Sequence, residues 1–302
     1  MTREIIAAAV VGAALLGPHL PADGASPPHT APAESYAESP AESYAESYAA
    51  SAAAMQAAGE PYTGWVSAGR RFLAFNQHGD GTVVEVVGDL DTADRIALLV
   101  PGVDSTLRDF DRGLGGVARR ALAVQARAIY GAARAADPGG RVAVVAWLGY
   151  DPPAGLSLDA LRERPARQGA LKLAQFLARV AARHPAARIT VVGHSYGGVV
   201  VGLAARSAPP QVTDLVALGA PGMGADRAAD LHTGARIWSA LAADDWIRHV
   251  PQIRLLDLGH GKRPAAASLG AFPLPTEGVA GHDGYLAPGS ATLAALAEVV
   301  TR

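Results

Sequence analysis

The residues best equipped for chemistry are Gly193-His194-Ser195-Tyr196-Gly197, a Gly-x-Ser-x-Gly run followed by Gly198. The apolar run 189–193 (ITVVG) precedes it and GVVVGLAARS follows it, so the serine falls on a tight turn from a strand into a helix. Such a turn exposes the hydroxyl at the carboxyl edge of a sheet, and small flanking residues leave it uncrowded. The helix start aims backbone N–H groups at a developing oxyanion. That arrangement suits nucleophilic attack on a carbonyl, provided a base and an orienting carboxylate are supplied.

With this kind of turn the acid follows the serine in the chain, and the base follows the acid. The run 236–241 (RIWSAL) leads into Asp244 and Asp245. Asp245 is preferred, because Asp245-Trp246-Ile247 has the acid–x–apolar form; Asp244 is the alternative, and one of the two caps the short helix that follows. Of the nine histidines, His19, His29, His78 and His184 precede the serine, His194 is inside the turn, and His232 precedes the acid. His249 lies four residues beyond Asp245, too close to bridge to Ser195. His260 and His282 remain. His282 is favoured, since its glycine-flanked loop (AGHDGY) comes just before the final helix.

The loop after the run 96–100 reads Pro101-Gly102-Val103, which makes the Val103 N–H one expected oxyanion donor and that of Tyr196 the other. Tyr150 and Asp151, in the segment WLGYDPP that ends the next strand, and Tyr285, three residues past His282, are expected to contact substrate. No metal site is expected, because no H-x-x-x-H or H-E-x-x-H spacing occurs. No cofactor is implied.

The elements that must hold these residues show in the hydrophobic pattern. Strands are expected at 72–76, 82–88, 96–100, 142–147, 189–193, 215–219 and 236–241. Helical spacing marks 113–136 and 159–183, and 290–301 forms a closing helix with Ser290 as N-cap. Continuous apolar strands alternating with helices predict an α/β fold, a mostly parallel sheet with helices on both faces. The short interval between 219 and 236 leaves no room for a large lid.

The first sixty residues differ. A thirteen-residue apolar run, Ile5–Gly17, predicts a signal peptide over 1–24 and a secreted or cell-surface protein; an ordinary alanine-rich helix in a cytoplasmic protein is the alternative. Residues 25–60 contain the tetrads AESY, AESP, AESY and AESY; Pro40 and low hydrophobicity predict a disordered spacer. The folded domain is expected over 61–302.

Composition excludes several classes. With no Cys there is no disulfide, thiolate nucleophile or Cys-ligated zinc. The longest apolar run is too short to span a bilayer. The net charge is −2, and the basic residues are scattered rather than interleaved with aromatics, so nucleic-acid binding has no support.

The segments VPGVDST, WLGYDPP, GHSYGG, DWI and GHDGYL together resemble the α/β-hydrolase superfamily, from about residue 62 to the end. More narrowly, WLGYDPP and GHDGYL resemble a mainly actinobacterial family of that superfamily catalogued as a domain of unknown function. The resemblance implies a triad of Ser195, Asp245 and His282, and places His260 in a loop apart from it. Asp283 and Gly284 depart from the family's pattern after the histidine. The implied activity is hydrolysis of a small-molecule carboxylic ester or thioester through an acyl-enzyme. A non-catalytic binding module on the same scaffold is the alternative. Oligomeric state is not readable from the sequence.

Overall fold

In the computed structural model, which describes residues 43–302 other than 156, 256 and 257, the apolar runs become the strands of one central sheet. The elements in chain order are α1 (Tyr44–Ala58), α2 (Tyr62–Ser67), β1 (Arg71–Asn76), β2 (Thr82–Gly88), β3 (Arg95–Val100), α3 (Leu122–Ala136) and β4 (Val142–Leu148). They continue as α4 (Arg164–Arg183), β5 (Arg188–His194), α5 (Gly197–Ala204), β6 (Val212–Leu218) and β7 (Arg236–Ala240). The last are β8 (Arg254–Leu255), β9 (Leu258–Gly259), β10 (Phe272–Pro273) and α6 (Ala291–Thr301). The sheet order is β1-β2-β4-β3-β5-β6-β7-β10, with β8 and β9 as a separate antiparallel pair. β2 runs antiparallel to β1 and β4, and all other neighbours in the main sheet are parallel.

Alternation along each strand divides the core into two layers. Leu98 of β3 is level with Val145 of β4 and Val191 of β5, and these three join Leu173, Leu177 and Val180 of α4 and Val199 of α5. One residue on, Leu99, Ala146 and Val192 point the other way, to Leu122, Ala126 and Ile129 of α3 and Leu296 of α6. Burial on both faces explains why these strands lack polar alternation. Each fully buried Leu or Ile contributes roughly 1.5–3 kcal/mol. The result is a stiff sheet whose carboxyl edge carries the loops after β3, β4, β5 and β7.

Element boundaries moved where glycine or proline intervenes. The helix expected from 113 starts at Leu122, because Gly113, Gly115 and Gly116 all take positive φ; short 3₁₀ turns occupy the interval. The helix expected from 159 starts at Arg164, with Pro165 in its first turn. Ser290 caps α6 as expected, its side chain accepting from Leu293 N at 3.2 Å. The two-residue strand β10, too short to register as a pattern, closes the sheet beyond β7.

The spacer expected over 25–60 is corrected for its last part. The compact unit begins at Ser43, not at residue 61. Ser43 and Glu46 form a capping box: Glu46 N donates to Ser43 Oγ at 3.3 Å and Ser43 N donates to Glu46 Oε2 at 2.6 Å. The tetrad repeat thus supplies a helix start. Tyr44, Ser47, Ser51 and Met55 are the buried face of α1, which packs across the edge strand β1. The small serines permit close approach, while Tyr44 stacks on His184 with ring centroids 5.7 Å apart. Covering β1 also protects a sheet edge that would otherwise present unpaired backbone groups. The expected signal peptide (1–24) and the first tetrads lie outside the described residues. Among the described residues no helix is long and apolar enough to cross a membrane.

Candidate active site

β5 delivers Ser195 to the carboxyl edge of the sheet, and α5 leaves from it two residues later. Ser195 has φ +55°, a left-handed conformation that costs a non-glycine residue about 1–3 kcal/mol. Its N–H donates to Leu218 O of β6 at 2.9 Å, which pins the turn to the neighbouring strand. A Cβ on Gly197 would stand 2.3 Å from Val100 O, so this position of the motif admits no side chain. The loop after β3 crosses directly over the serine: a Cβ on Gly102 would lie 2.8 Å from Ser195 Cβ and 3.3 Å from its Oγ.

His282 comes from the loop before α6, and Asp245 from the end of β7. His282 Nε2 lies 2.8 Å from Ser195 Oγ, while Nδ1 lies 2.9 and 3.0 Å from the two Asp245 oxygens. A carboxylate only accepts, so Nδ1 carries the proton and Nε2 is the acceptor facing the serine hydroxyl. The approach depends on Gly219, at φ +54° just past β6. A Cβ there would sit 2.7 Å from Asp245 Oδ2 and 3.2 Å from His282 Nδ1.

Asp245 is 1% exposed. Burial pushes its pKa up, but hydrogen bonds donated by His282, Tyr285 and the Ile247 N–H prevail and hold it below the usual carboxylate value. It is therefore an anion, fixed on both oxygens. Asp244, the alternative acid, is not in this line: its Oδ2 accepts from Gly281 N at 2.8 Å and so anchors the His282 loop. A second anchor is Arg120, whose Nε donates to Asp283 Oδ2 at 2.6 Å. Asp283 thus has a structural partner.

His194 supplies a third anchor. Its Nε2 lies 2.8 Å from the main-chain oxygen of His282, so that nitrogen must donate. Loss of hydration, reinforced by the neighbouring His282, lowers the His194 pKa to about 4, which leaves the ring neutral. Sequence reasoning set His194 aside as part of the turn and so missed this role. It also missed Trp246, which is 41% exposed with its ring centroid 4.9 Å from that of His282. Arg120 had no sequence signal, being 163 positions from its partner.

The other expected site residues divide. Val103 follows Gly102 in the loop over Ser195 and is half-buried. The Tyr196 side chain turns away from the serine, its hydroxyl donating to Arg162 O at 2.9 Å and accepting from Ala166 N at 3.1 Å. The expected substrate contact at Tyr150 is corrected: the residue is 1% exposed, stacked on Trp147, and donates to Pro101 O at 2.7 Å. It holds the loop over Ser195 from below. Tyr285 is corrected in the same way. Its ring is 1% exposed, and its hydroxyl donates to Asp245 Oδ2 at 2.5 Å and accepts from Ala242 N at 3.0 Å. Asp151 is exposed over the residue as a whole, while partial loss of hydration at its carboxyl and nearby Asp80 raise its pKa. His260 is 5% exposed and donates from Nε2 to Ala160 O at 2.8 Å, with its ring edge-on to Tyr196, so it packs behind the turn.

Residues 76–255 match a family described as alpha/beta hydrolase. The relatives include "Uncharacterized protein Rv2079" of Mycobacterium tuberculosis, 30% identical over 258 residues, covering 74% of this chain and 37% of that protein. "Uncharacterized protein Rv0963c" of the same species is 35% identical over 148 residues, covering 48% of this chain and 54% of that protein. The chain thus spans between about a third and half of the length of these relatives. Among solved structures it is similar to a Trichoderma reesei cutinase in complex with a phosphonate inhibitor (TM-score 0.40, 15% identity, 69% of this chain and 77% of that one). It is also similar to a predicted CIB-like hydrolase from Thermoplasma acidophilum (TM-score 0.45, 17% identity, 77% and 97%). A third is a carboxylesterase from Mesorhizobium loti (TM-score 0.42, 16% identity, 75% and 97%).

Proposed function

Because the chain belongs to the alpha/beta hydrolase family, we propose that it is a serine hydrolase cleaving a carboxylic ester or thioester through an acyl-enzyme. The observation that carries this reading is the continuous line Ser195 Oγ, His282 Nε2, His282 Nδ1, Asp245, closed at 2.8 and 2.9 Å. A serine hydroxyl is a poor nucleophile until a base takes its proton, and this line supplies one.

As Ser195 Oγ bonds to the substrate carbonyl carbon, its proton passes to His282 Nε2. The imidazolium so formed keeps its Nδ1–H on the Asp245 carboxylate, which stays ionised. The carbonyl oxygen, now negative, is held by the main-chain N–H groups of Val103 and Tyr196. Collapse of the tetrahedral intermediate breaks the bond to the leaving oxygen or sulfur, which takes the proton from Nε2. Water then repeats the sequence on the acyl-serine and frees the acid. The anchors at His194, Asp244 and Arg120 hold His282 in place, and misplacement of about 1 Å is enough to cost on the order of 10²-fold in rate.

The test is pre-steady-state hydrolysis of p-nitrophenyl acetate by the full chain. A burst of p-nitrophenol with one equivalent per Ser195, absent in Ser195→Ala with its circular dichroism unchanged, is the expected result. Equal hydrolysis by the variant overturns the assignment. No hydrolysis of a range of esters and thioesters by folded protein favours the binding module. Export is part of the proposal and rests on Ile5–Gly17; the mass of the mature N-terminus tests it.

A further inference from the structure

The segment after β4, from Tyr150 to Gly155, bonds at three points to the loop after β3, which crosses Ser195. The Tyr150 hydroxyl donates to Pro101 O at 2.7 Å. Asp104 N donates to Pro153 O at 3.1 Å. Gly155 N donates to Asp104 Oδ1 at 2.6 Å. The segment is stiff where it makes these bonds. Pro152 and Pro153 are both buried, and their rings fix φ, so Pro153 O is presented by a rigid main chain. Burial holds the Tyr150 pKa well above its usual value, so the phenol stays protonated and keeps donating.

Pro101 and Asp104 bracket the two residues nearest the nucleophile. A Cβ on Gly102 would stand 2.8 Å from Ser195 Cβ, and Val103 follows. The Val103 N–H donates to no group among the described residues, which leaves it for an outside acceptor. Pro101 O and Asp104 N belong to the peptide planes on either side of the one that carries this N–H. With both outer planes bonded, the middle one has little freedom to turn. Asp104 itself has φ +59°, in the left-handed region that Asp enters more readily than most side chains. Its carboxylate bond to Gly155 N secures that conformation at the exit of the loop. An oxyanion donor is effective only when aimed to within about 2.7–3.1 Å of where the charge develops, so its direction matters more than its presence.

We propose that Asp104 is a positioning residue for the oxyanion site: by tying the loop after β3 to the segment after β4, its carboxylate fixes the aim of the Val103 N–H. The proposal rests on the serine-hydrolase reading. Two substitutions separate its elements. Asp104→Gly removes the carboxylate and accepts positive φ without strain. Asp104→Asn keeps an oxygen that accepts from Gly155 N and also tolerates positive φ.

With the full chain, kcat for p-nitrophenyl acetate is measured per active serine, counted from complete fluorophosphonate labelling. Asp104→Gly should lower kcat by about tenfold or more with KM within about twofold, because the donor matters most once the oxyanion forms. Asp104→Asn should stay within about threefold of the unaltered protein. The matched thionoester, with sulfur in place of the carbonyl oxygen, supplies a readout that a structural role would not move. Sulfur accepts hydrogen bonds weakly, so the ester-to-thionoester rate ratio reports on the oxyanion donors; it should narrow in Asp104→Gly and recover in Asp104→Asn. The rate of fluorophosphonate labelling should fall with kcat, since the phosphonyl oxygen enters the same site, and it replaces kcat if the ester turns over too slowly to follow. A lower Tm or a smaller active fraction, with the rate per serine and the ratio unchanged, makes Asp104 a structural residue and overturns the proposal. So does an Asn variant as slow as the Gly variant. Neither turnover nor an adduct in the unaltered protein would remove the serine-hydrolase reading and this proposal with it. An adduct on Ser195 with an unchanged rate in Asp104→Gly would remove this proposal alone.

Discussion

Replacing Tyr285 with Phe removes one oxygen atom and tests how the acid is held. That oxygen does two things: it donates to the buried Asp245 carboxylate and accepts from the Ala242 N–H. A hydrogen bond to a charged group contributes about 1.5–3 kcal/mol, and a buried N–H left without a partner costs about 1–3 kcal/mol. The two share an atom and do not simply add, so a loss of about 2–4 kcal/mol is expected near pH 7. For a domain of this size that lowers Tm by roughly 5–15 °C. The pH dependence has a definite sign. Asp245 is held below the ordinary carboxylate value, so its contribution is complete above that value and disappears as pH falls through the folded one. The penalty of the variant should therefore shrink as pH falls below the ordinary carboxylate value. With one donor gone the Asp245 pKa rises, so activity should fail at a higher pH on the acid side. Urea unfolding at several pH values and a kcat/KM profile measure both effects. A Tm within about 1 °C of the unaltered protein, with an unshifted profile, would refute the reasoning.

Other consequences follow from the same geometry. Met55→Ala should destabilise the full chain by about 2–5 kcal/mol in urea, because this α1 residue is fully buried; no change would return residues 43–58 to spacer status. His194 is neutral when folded, with a pKa near 4, whereas the unfolded chain takes up a proton near 6.5. Stability should thus fall between those values, by on the order of 2–3 kcal/mol over the window, and His194→Asn should flatten the slope; identical slopes would contradict the assignment. Gly102→Ala should cut kcat/KM by about 10²-fold or more while Tm stays within a few degrees, since its Cβ would press on Ser195; near-normal turnover would show that the loop does not constrain the serine.

The strands were legible because each is a continuous apolar run, and the turn at Ser195 because glycines bracket a serine between a strand and a helix. α1 was not, since its buried face is Tyr44, Ser47, Ser51 and Met55, a set with little hydrophobic contrast. Its one readable signal was Ser43-x-x-Glu46, hidden inside a repeat. The acid–x–apolar form of Asp245-Trp246-Ile247 favoured Asp245 over its neighbour, and the folded loop adds what spacing could not, that Asp244 holds Gly281 while Asp245 meets His282. Tyr150 and Tyr285 were placed near the site, but spacing along the chain does not say which way a ring points. Both face inward, where their hydroxyls hold the loop at Pro101 and the carboxylate of Asp245. Arg120 and Asp283 needed the fold itself to bring them together.

The most direct measurement is labelling of the full chain with a fluorophosphonate, followed by mass mapping of the adduct. The account predicts one adduct, on Ser195, formed slowly or not at all in His282→Ala. An adduct elsewhere, an equal rate in His282→Ala, or no adduct on folded protein would contradict the claim that Ser195 is an activated nucleophile.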